Sequence, residues 1–192
     1  MRFHAPAALL FVTGALAAPA GFSWANPPDL DPRDLITDYA VSPAGENLTV
    51  YINGRNFVPT EGHPEGTPLL KRLQRIDSGR MEGFCGDSTF VQKSSDKSPP
   101  SDHCRALVDY VNRIKGYWLI DYLDPWNVLL ARSGDCIFGV HTKNVIGTNV
   151  GSQDVVDLLR DSIARFAGVR LGAEGHMGCK LVGTAGVDWA IY

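Results

Sequence analysis

The 192-residue chain lacks most of the signatures that announce an enzyme. It has no Gly-x-Ser-x-Gly elbow, no His-Glu-x-x-His, no Walker-type phosphate loop and no Gly-x-Gly-x-x-Gly. Charge of one sign is also missing. There are 18 basic and 21 acidic residues, a net charge of −3 and a pI near 5.9. Nucleic acid is not an expected partner, because phosphate binding needs a basic face. No apolar run reaches the roughly 18 residues of a membrane span without a helix breaker. Cysteine is scarce: Cys85, Cys104, Cys136 and Cys179. None forms a Cys-x-x-Cys pair, and no histidine pair has zinc-ligand spacing, so a metal centre is not expected. No cofactor is expected either.

What the chain does have begins with a secretion signal. Met1-Arg2-Phe3-His4 is a short basic start, and Ala5 to Leu16 is an apolar stretch too short to span a bilayer well. Ala15-Leu16-Ala17 and Ala18-Pro19-Ala20 both fit the small-x-small cleavage rule. Residues 1–20 therefore read as a signal peptide and the protein as extracellular. An oxidising compartment turns the four cysteines into two disulfides with three possible pairings.

Residues 21–78 read as a Pro-rich leader, either a propeptide or partly disordered. Pro27-Pro28, Pro32, Pro43, Pro59, Pro64 and Pro68 exclude long helices and central strands there. Leu48 to Ile52 is β-prone, and Asn53-Gly54 is a hairpin-turn dipeptide. The segment either adds a strand to the main domain or stays loosely held. Asn47-Leu48-Thr49 is an N-glycosylation acceptor sequence. Lys71-Arg72 reads either as a dibasic processing site or as the charged end of a short amphipathic helix.

Residues 79–192 read as a disulfide-stabilised domain. Phe84 to Val91 is a strand. Ser101 or Asp102 caps a helix to about Lys115, with Gly116 after it. On that helix Cys104, Leu107, Val108, Val111 and Ile114 share a face. Tyr117 to Ile120 and Cys136 to Val140 are strands. Ser152 caps a second helix to about Ala167, with Val155, Leu159, Ile163 and Phe166 inward. Strands from His176 to Val182 and from Val187 to Tyr192 close the chain, turning at Gly183 and Gly186. The order β-α-β-β-α-β-β fits an α+β fold: two helices on one face of a mainly antiparallel sheet, a split β-α-β of ferredoxin-like or killer-toxin-like type. In that topology Cys85 and Cys179 fall close, as do Cys104 and Cys136. The pairing Cys85–Cys104 with Cys136–Cys179 stays open as the second choice.

Candidate site residues are few. His63, His103, His141 and His176 are scattered singly. His141 and His176 could meet as an acid/base pair across strand ends, though isolated histidines are more often ordinary surface groups. Asp154, Asp157 and Asp161 share one side of the second helix near Arg160 and Arg165. They read as a solvated face with an Asp161–Arg165 pair rather than a cation site. Ser162 reads as bonding back to the preceding turn. Trp118, Trp189, Tyr117 and Tyr192 read mainly as core. Trp126 and Tyr122 are the exposed aromatic candidates.

Several blocks in order carry a family resemblance. They are Cys85-Gly86-Asp87-Ser88-Thr89-Phe90, Ser98-Pro99, Asp102-His103-Cys104, Cys136-Ile137-Phe138-Gly139-Val140, Gly151 to Ile163, Gly175-His176-Met177-Gly178-Cys179 and Val187 to Tyr192. Over about residues 83–192 the chain resembles the fungal family of homologues of extracellular protein two, described as pathogen effectors and candidate necrosis-inducing factors. The resemblance implies a small secreted disulfide-bonded protein from a fungus, and some relatives are fused to chitinase-like, killer-toxin-like chains. No chitinase module is read here, and the family supplies no established catalytic residues.

The expectation is a secreted virulence factor without catalysis and with no catalytic or metal-ligating residues. It would act, as a monomer, by binding a host or competitor-cell protein, membrane or cell-wall component. Loops Gln92–Ser101 and Asp121–Ser133 would carry the contacts, with Trp126, Tyr122, His141 and His176 as binding candidates. The alternatives are a killer-toxin-like protein that perturbs membranes or channels, and a secreted hydrolase or nuclease.

Overall fold

The computed structural model describes residues 32–59, 83–121, 129–166, 168–180 and 184–192. The signal segment, Lys71-Arg72, Tyr122 and Trp126 lie outside these residues. Strands β1 (Leu35–Val41) and β2 (Asn47–Asn53) form a hairpin within the segment read as a leader. β2 also pairs with a later strand as an interior member of the main sheet, against the exclusion of central strands there, because its seven residues contain no proline. They are followed by β3 (Phe57–Pro59), β4 (Cys85–Ser88), β5 (Val91–Gln92), helix α1 (Ser101–Val111), β6 (Gly116–Ile120), β7 (Ala131–Ser133), β8 (Cys136–Thr142), β9 (Thr148–Gly151), helix α2 (Ser152–Phe166), β10 (Ala173–Lys180) and β11 (Thr184–Ile191).

The class is α+β, with a mainly antiparallel sheet and two helices. The main sheet has the order β1-β2-β7-β8-β11-β10-β4, and β5 also pairs with β10. Its inner face is made by the alternate residues of each strand. Val50 and Ile52 on β2, Phe138 and Val140 on β8, and Val187, Trp189 and Ile191 on β11 are all buried. Helix α1 packs against this face. Cys104, Leu107, Val108 and Val111 are buried as the helical spacing predicts, and Ile114 packs on the same core. α2 lies against α1 with Val155, Val156, Leu158 and Leu159 inward.

One strand leaves the expected sheet. β6 pairs with β3 and β9 in a separate three-stranded sheet. Four of its five residues are buried, so it is covered on both faces. Trp118 is fully buried, meets the Phe57 ring in a tilted contact at 4.9 Å between centroids and donates its indole N–H to the Asn53 carbonyl at 3.1 Å. Gly116 does not serve as a helix stop; it opens β6, where an added Cβ would collide with the Val58 carbonyl.

Three local expectations also change. The β1–β2 turn falls at Ser42–Glu46, not at Asn53-Gly54. Gly45 adopts φ +83° there, and the Ser42 hydroxyl accepts the Glu46 N–H. Gly54 instead donates its N–H to the Asp34 carbonyl at 2.7 Å. The expected strand over Phe84–Val91 divides into β4 and β5; Ser88, Val91 and Gln92 keep one register along β10, and the register shift falls within β4, between Cys85 and Ser88. Helix α1 ends at Val111 and has no side-chain cap; the Ser101 hydroxyl donates to the Gly168 carbonyl at 2.7 Å.

Candidate functional site

Two disulfides hold the scaffold: Cys85–Cys179 and Cys104–Cys136. The first joins register partners on β4 and β10 and fastens the edge of the main sheet. The second ties the first turn of α1 to the start of β8. Beside it, His103 is 9% exposed. Its Nδ1 accepts the Asp135 N–H at 3.1 Å, and its Nε2 meets Glu46 Oε2 at 3.2 Å. An accepting Nδ1 places the ring proton on Nε2, where it can be donated to the carboxylate. His103 is thus a strut between the β1–β2 turn and the β7–β8 turn.

His141 and His176 do share one neighbourhood. Asp188 on β11 stands opposite His176 on β10 and opposite His141 on β8. His176 Nδ1 lies 2.8 Å from Asp188 Oδ1, and both side chains are about half exposed. The imidazole of His141 is pushed below its usual range by burial, with Lys143 adding to the effect and Asp188 opposing it. The histidines flank a carboxylate rather than face each other across a cleft.

The three aspartates of α2 separate into two kinds. Asp154 is buried and accepts N–H bonds from Gly151 at 2.8 Å, Phe84 at 2.9 Å and Cys85 at 3.2 Å. Burial pushes its carboxyl up, and the three N–H donors partly offset that. It latches β4 to the start of α2. Asp157 accepts from the Gln153 side chain, and Asp161 meets Arg165 at 3.5 Å, as a solvated helix face does. The Arg165 guanidinium also lies 4.2 Å over the Phe90 ring. These groups line a cleft of about 350 Å³ between α2 and β4. Among the described residues, no group of three His, Cys, Asp or Glu side chains is placed to hold a metal ion. Ser162 is fully buried, and its hydroxyl makes no hydrogen bond, against the back-bonding expected of it.

The aromatic residues are largely core. Trp118 and Trp189 are both fully buried. The Trp189 N–H donates to the Ser88 hydroxyl at 2.7 Å, and its ring stacks on Phe138. Tyr192 is buried enough to raise its phenol well above the usual range. Loop Gln92–Ser101 is pinned rather than presented. The Ser98 hydroxyl accepts the Ser95 N–H at 2.9 Å, Arg170 donates to the Ser98 carbonyl, and Lys93 pairs with Glu174 at 2.9 Å.

An exposed apolar pair was not legible in the sequence. In the loop joining β8 to β9, Val145 is 78% exposed and Ile146 is 67% exposed. Asn144 builds the loop. Its side-chain oxygen accepts the Ile146 N–H at 3.0 Å, and its carbonyl accepts the Gly147 N–H at 3.0 Å. The Thr142 hydroxyl accepts the Asn144 N–H at 3.2 Å. Gly147 takes φ +79°, and an added Cβ would meet the Ile120 carbonyl at 2.8 Å. This Asx turn fixes two aliphatic side chains in solvent. Apolar residues after a strand read as more strand, and only Asn144 and Gly147 signal the turn.

Comparison with known proteins adds the family. The chain is 28% identical over 122 residues to the "Secreted chitinase LysM12" of Penicillium expansum, covering 60% of this chain and 8% of that protein. It thus spans a small part of that relative's length. A family model described as "Pathogen effector; putative necrosis-inducing factor" matches residues 84–179, half of the chain and both disulfides. The chain belongs to this Hce2 effector family.

Proposed function

We propose that the protein is an extracellular effector and virulence factor that binds a component of a host or competitor cell without catalysing a reaction. Its family and the secreted relative support the extracellular setting. The observation that carries the binding reading is the Val145–Ile146 tip, held outward by Asn144 and Gly147 on a disulfide-bridged frame. Covering two aliphatic side chains contributes about 3–6 kcal/mol, roughly 1.5–3 kcal/mol each. That is a useful share of a micromolar complex, worth about 8 kcal/mol. It is too little for membrane anchoring, since one whole myristoyl chain binds only marginally. A protein pocket therefore fits the tip better than a lipid surface does. A rigid loop also loses little entropy on binding.

The test is saturable binding of labelled protein to target cells, beside Val145→Ser/Ile146→Ser. The expected result is binding weakened about 100-fold or more with unchanged thermal stability. Equal binding by both proteins would remove the tip from the interface. The hydrolase reading is favoured by one observation, the His176–Asp188 contact with His141 alongside. It requires that His141→Ala or His176→Ala abolish activity with the fold retained.

A further inference from the structure

A second exposed apolar patch has a different chemistry around it. β1 is an edge strand of the main sheet, and it exposes Tyr39 at 70% and Val41 at 62%. An edge strand with large apolar side chains invites pairing with other chains, and most proteins blunt such edges. Here the partner strand brings a particular group to that place. In the β1–β2 register Val41 faces Asn47 and Tyr39 faces Thr49. Residues paired across antiparallel strands point to the same face, with Cβ atoms about 4.5–5.5 Å apart. Asn47 and Thr49 are the first and last residues of Asn47-Leu48-Thr49, the single Asn-x-Ser/Thr sequence in the 192 residues. Asn47 is exposed beside the Ser42–Glu46 turn. Leu48 between them points the other way, into the core. The acceptor amide and the hydroxyl of the acceptor sequence thus lie on one open face, side by side with Tyr39 and Val41.

We propose that Asn47 carries an N-linked glycan whose first sugar covers Val41 and Tyr39 and caps the open edge of the main sheet. This inference rests on the extracellular reading, because the modification is made on the secretory route. The donor is an oligosaccharide linked to a lipid pyrophosphate. The bond from sugar C1 to the phosphate oxygen breaks and a bond from C1 to Asn47 Nδ2 forms. The amide loses a proton, and the lipid pyrophosphate leaves. The apolar face of a pyranose ring suits an exposed tyrosine ring and a valine, and its hydroxyls face water. This accounts for two large apolar residues at an edge that no other described strand pairs.

The experiment is secretion of the full chain from a eukaryotic host, followed by intact mass, peptide mapping and light scattering. Wild type is expected to carry one glycan mass on the peptide holding Asn47, removed by an N-glycosidase that leaves aspartate at that position. Asn47→Gln and Thr49→Ala should lose the mass, and Thr49→Ser should keep it. The enzymatically deglycosylated protein should self-associate more than the glycosylated one. The combined variant Tyr39→Ser/Val41→Thr should restore the monomer without the glycan. Secreted wild type without a glycan overturns the site. A glycan whose removal leaves association unchanged overturns the shielding role. Neither result bears on the Val145–Ile146 tip, whose cell-binding assay reads separately.

Discussion

Removing either disulfide should bring the protein close to its limit of stability. The Cys104–Cys136 bridge closes a separation of 32 residues and lies inside the loop of 94 closed by Cys85–Cys179. In the chain-entropy model a loop of 32 contributes about 3.7 kcal/mol at 25 °C. The outer loop would contribute about 4.7 kcal/mol alone. With the inner bridge intact, its effective length falls to about 62 (94 less 32), and its contribution to about 4.3 kcal/mol. Cys104, Cys136 and Cys179 are fully buried, so alanine there also removes packed sulfur, at roughly 0.5–1 kcal/mol per site. Both Cys104→Ala/Cys136→Ala and Cys85→Ala/Cys179→Ala should therefore lose about 5 kcal/mol. Domains of this kind have only about 5–15 kcal/mol in all. Urea unfolding of the two oxidised variants beside wild type measures the loss. A loss below about 2 kcal/mol for either pair would refute the reasoning, as would peptide maps showing other pairings in the wild type.

Two titrating groups give further expectations. Asp154 has a raised carboxyl pKa from burial, so the folded state holds its proton more tightly than the unfolded state. Its favourable contribution is complete below the ordinary carboxylate pKa of about 3.9 and is lost as pH rises through the raised value. In urea unfolding at several pH values, wild type should gain on Asp154→Asn as pH falls across that window. The opposite slope would contradict the burial effect. At neutral pH Asp154→Ala should cost about 3 kcal/mol, because three backbone N–H groups lose their acceptor. Tyr110 is pushed up to about 12 by burial and by its 3.1 Å bond to Asp38. Its contribution is held below pH 10 and lost as pH rises toward 12, and Tyr110→Phe should flatten that part of the profile; an unchanged phenolate titration in the variant would contradict it.

Much of the scaffold was legible because local signals and topology agreed. Cys104 opens a helix and Cys136 opens a strand, which is enough to bring them to one end once the sheet is antiparallel. The spacing of Leu107, Val108 and Val111 states the buried face of α1 directly. Trp118 and Trp189 read as core and are core. What stayed hidden depends on partners distant in the chain. β3 is three residues long, and nothing local says that Phe57 will meet Trp118 across a second sheet. Asp154 reads as a first-turn acid, yet its burial comes from Phe84 and Cys85, 70 and 69 residues away. The Asn53-Gly54 pair looked like a hairpin and proved a close approach to Asp34, because Gly45 had already made the turn. Of the site candidates, His141 and His176 do gather around Asp188, while the Val145–Ile146 tip carries almost no local signal.

The most direct test of the central claim is infiltration of purified, oxidised protein into leaves. Wild type, His141→Ala, His176→Ala and Val145→Ser/Ile146→Ser would be compared at equal dose, each checked for unchanged thermal stability. The account predicts cell death from wild type and from both histidine variants, and little or none from the tip variant. Death that persists in the tip variant and disappears in a folded histidine variant would contradict it, and would place the activity at the His176–Asp188 pair.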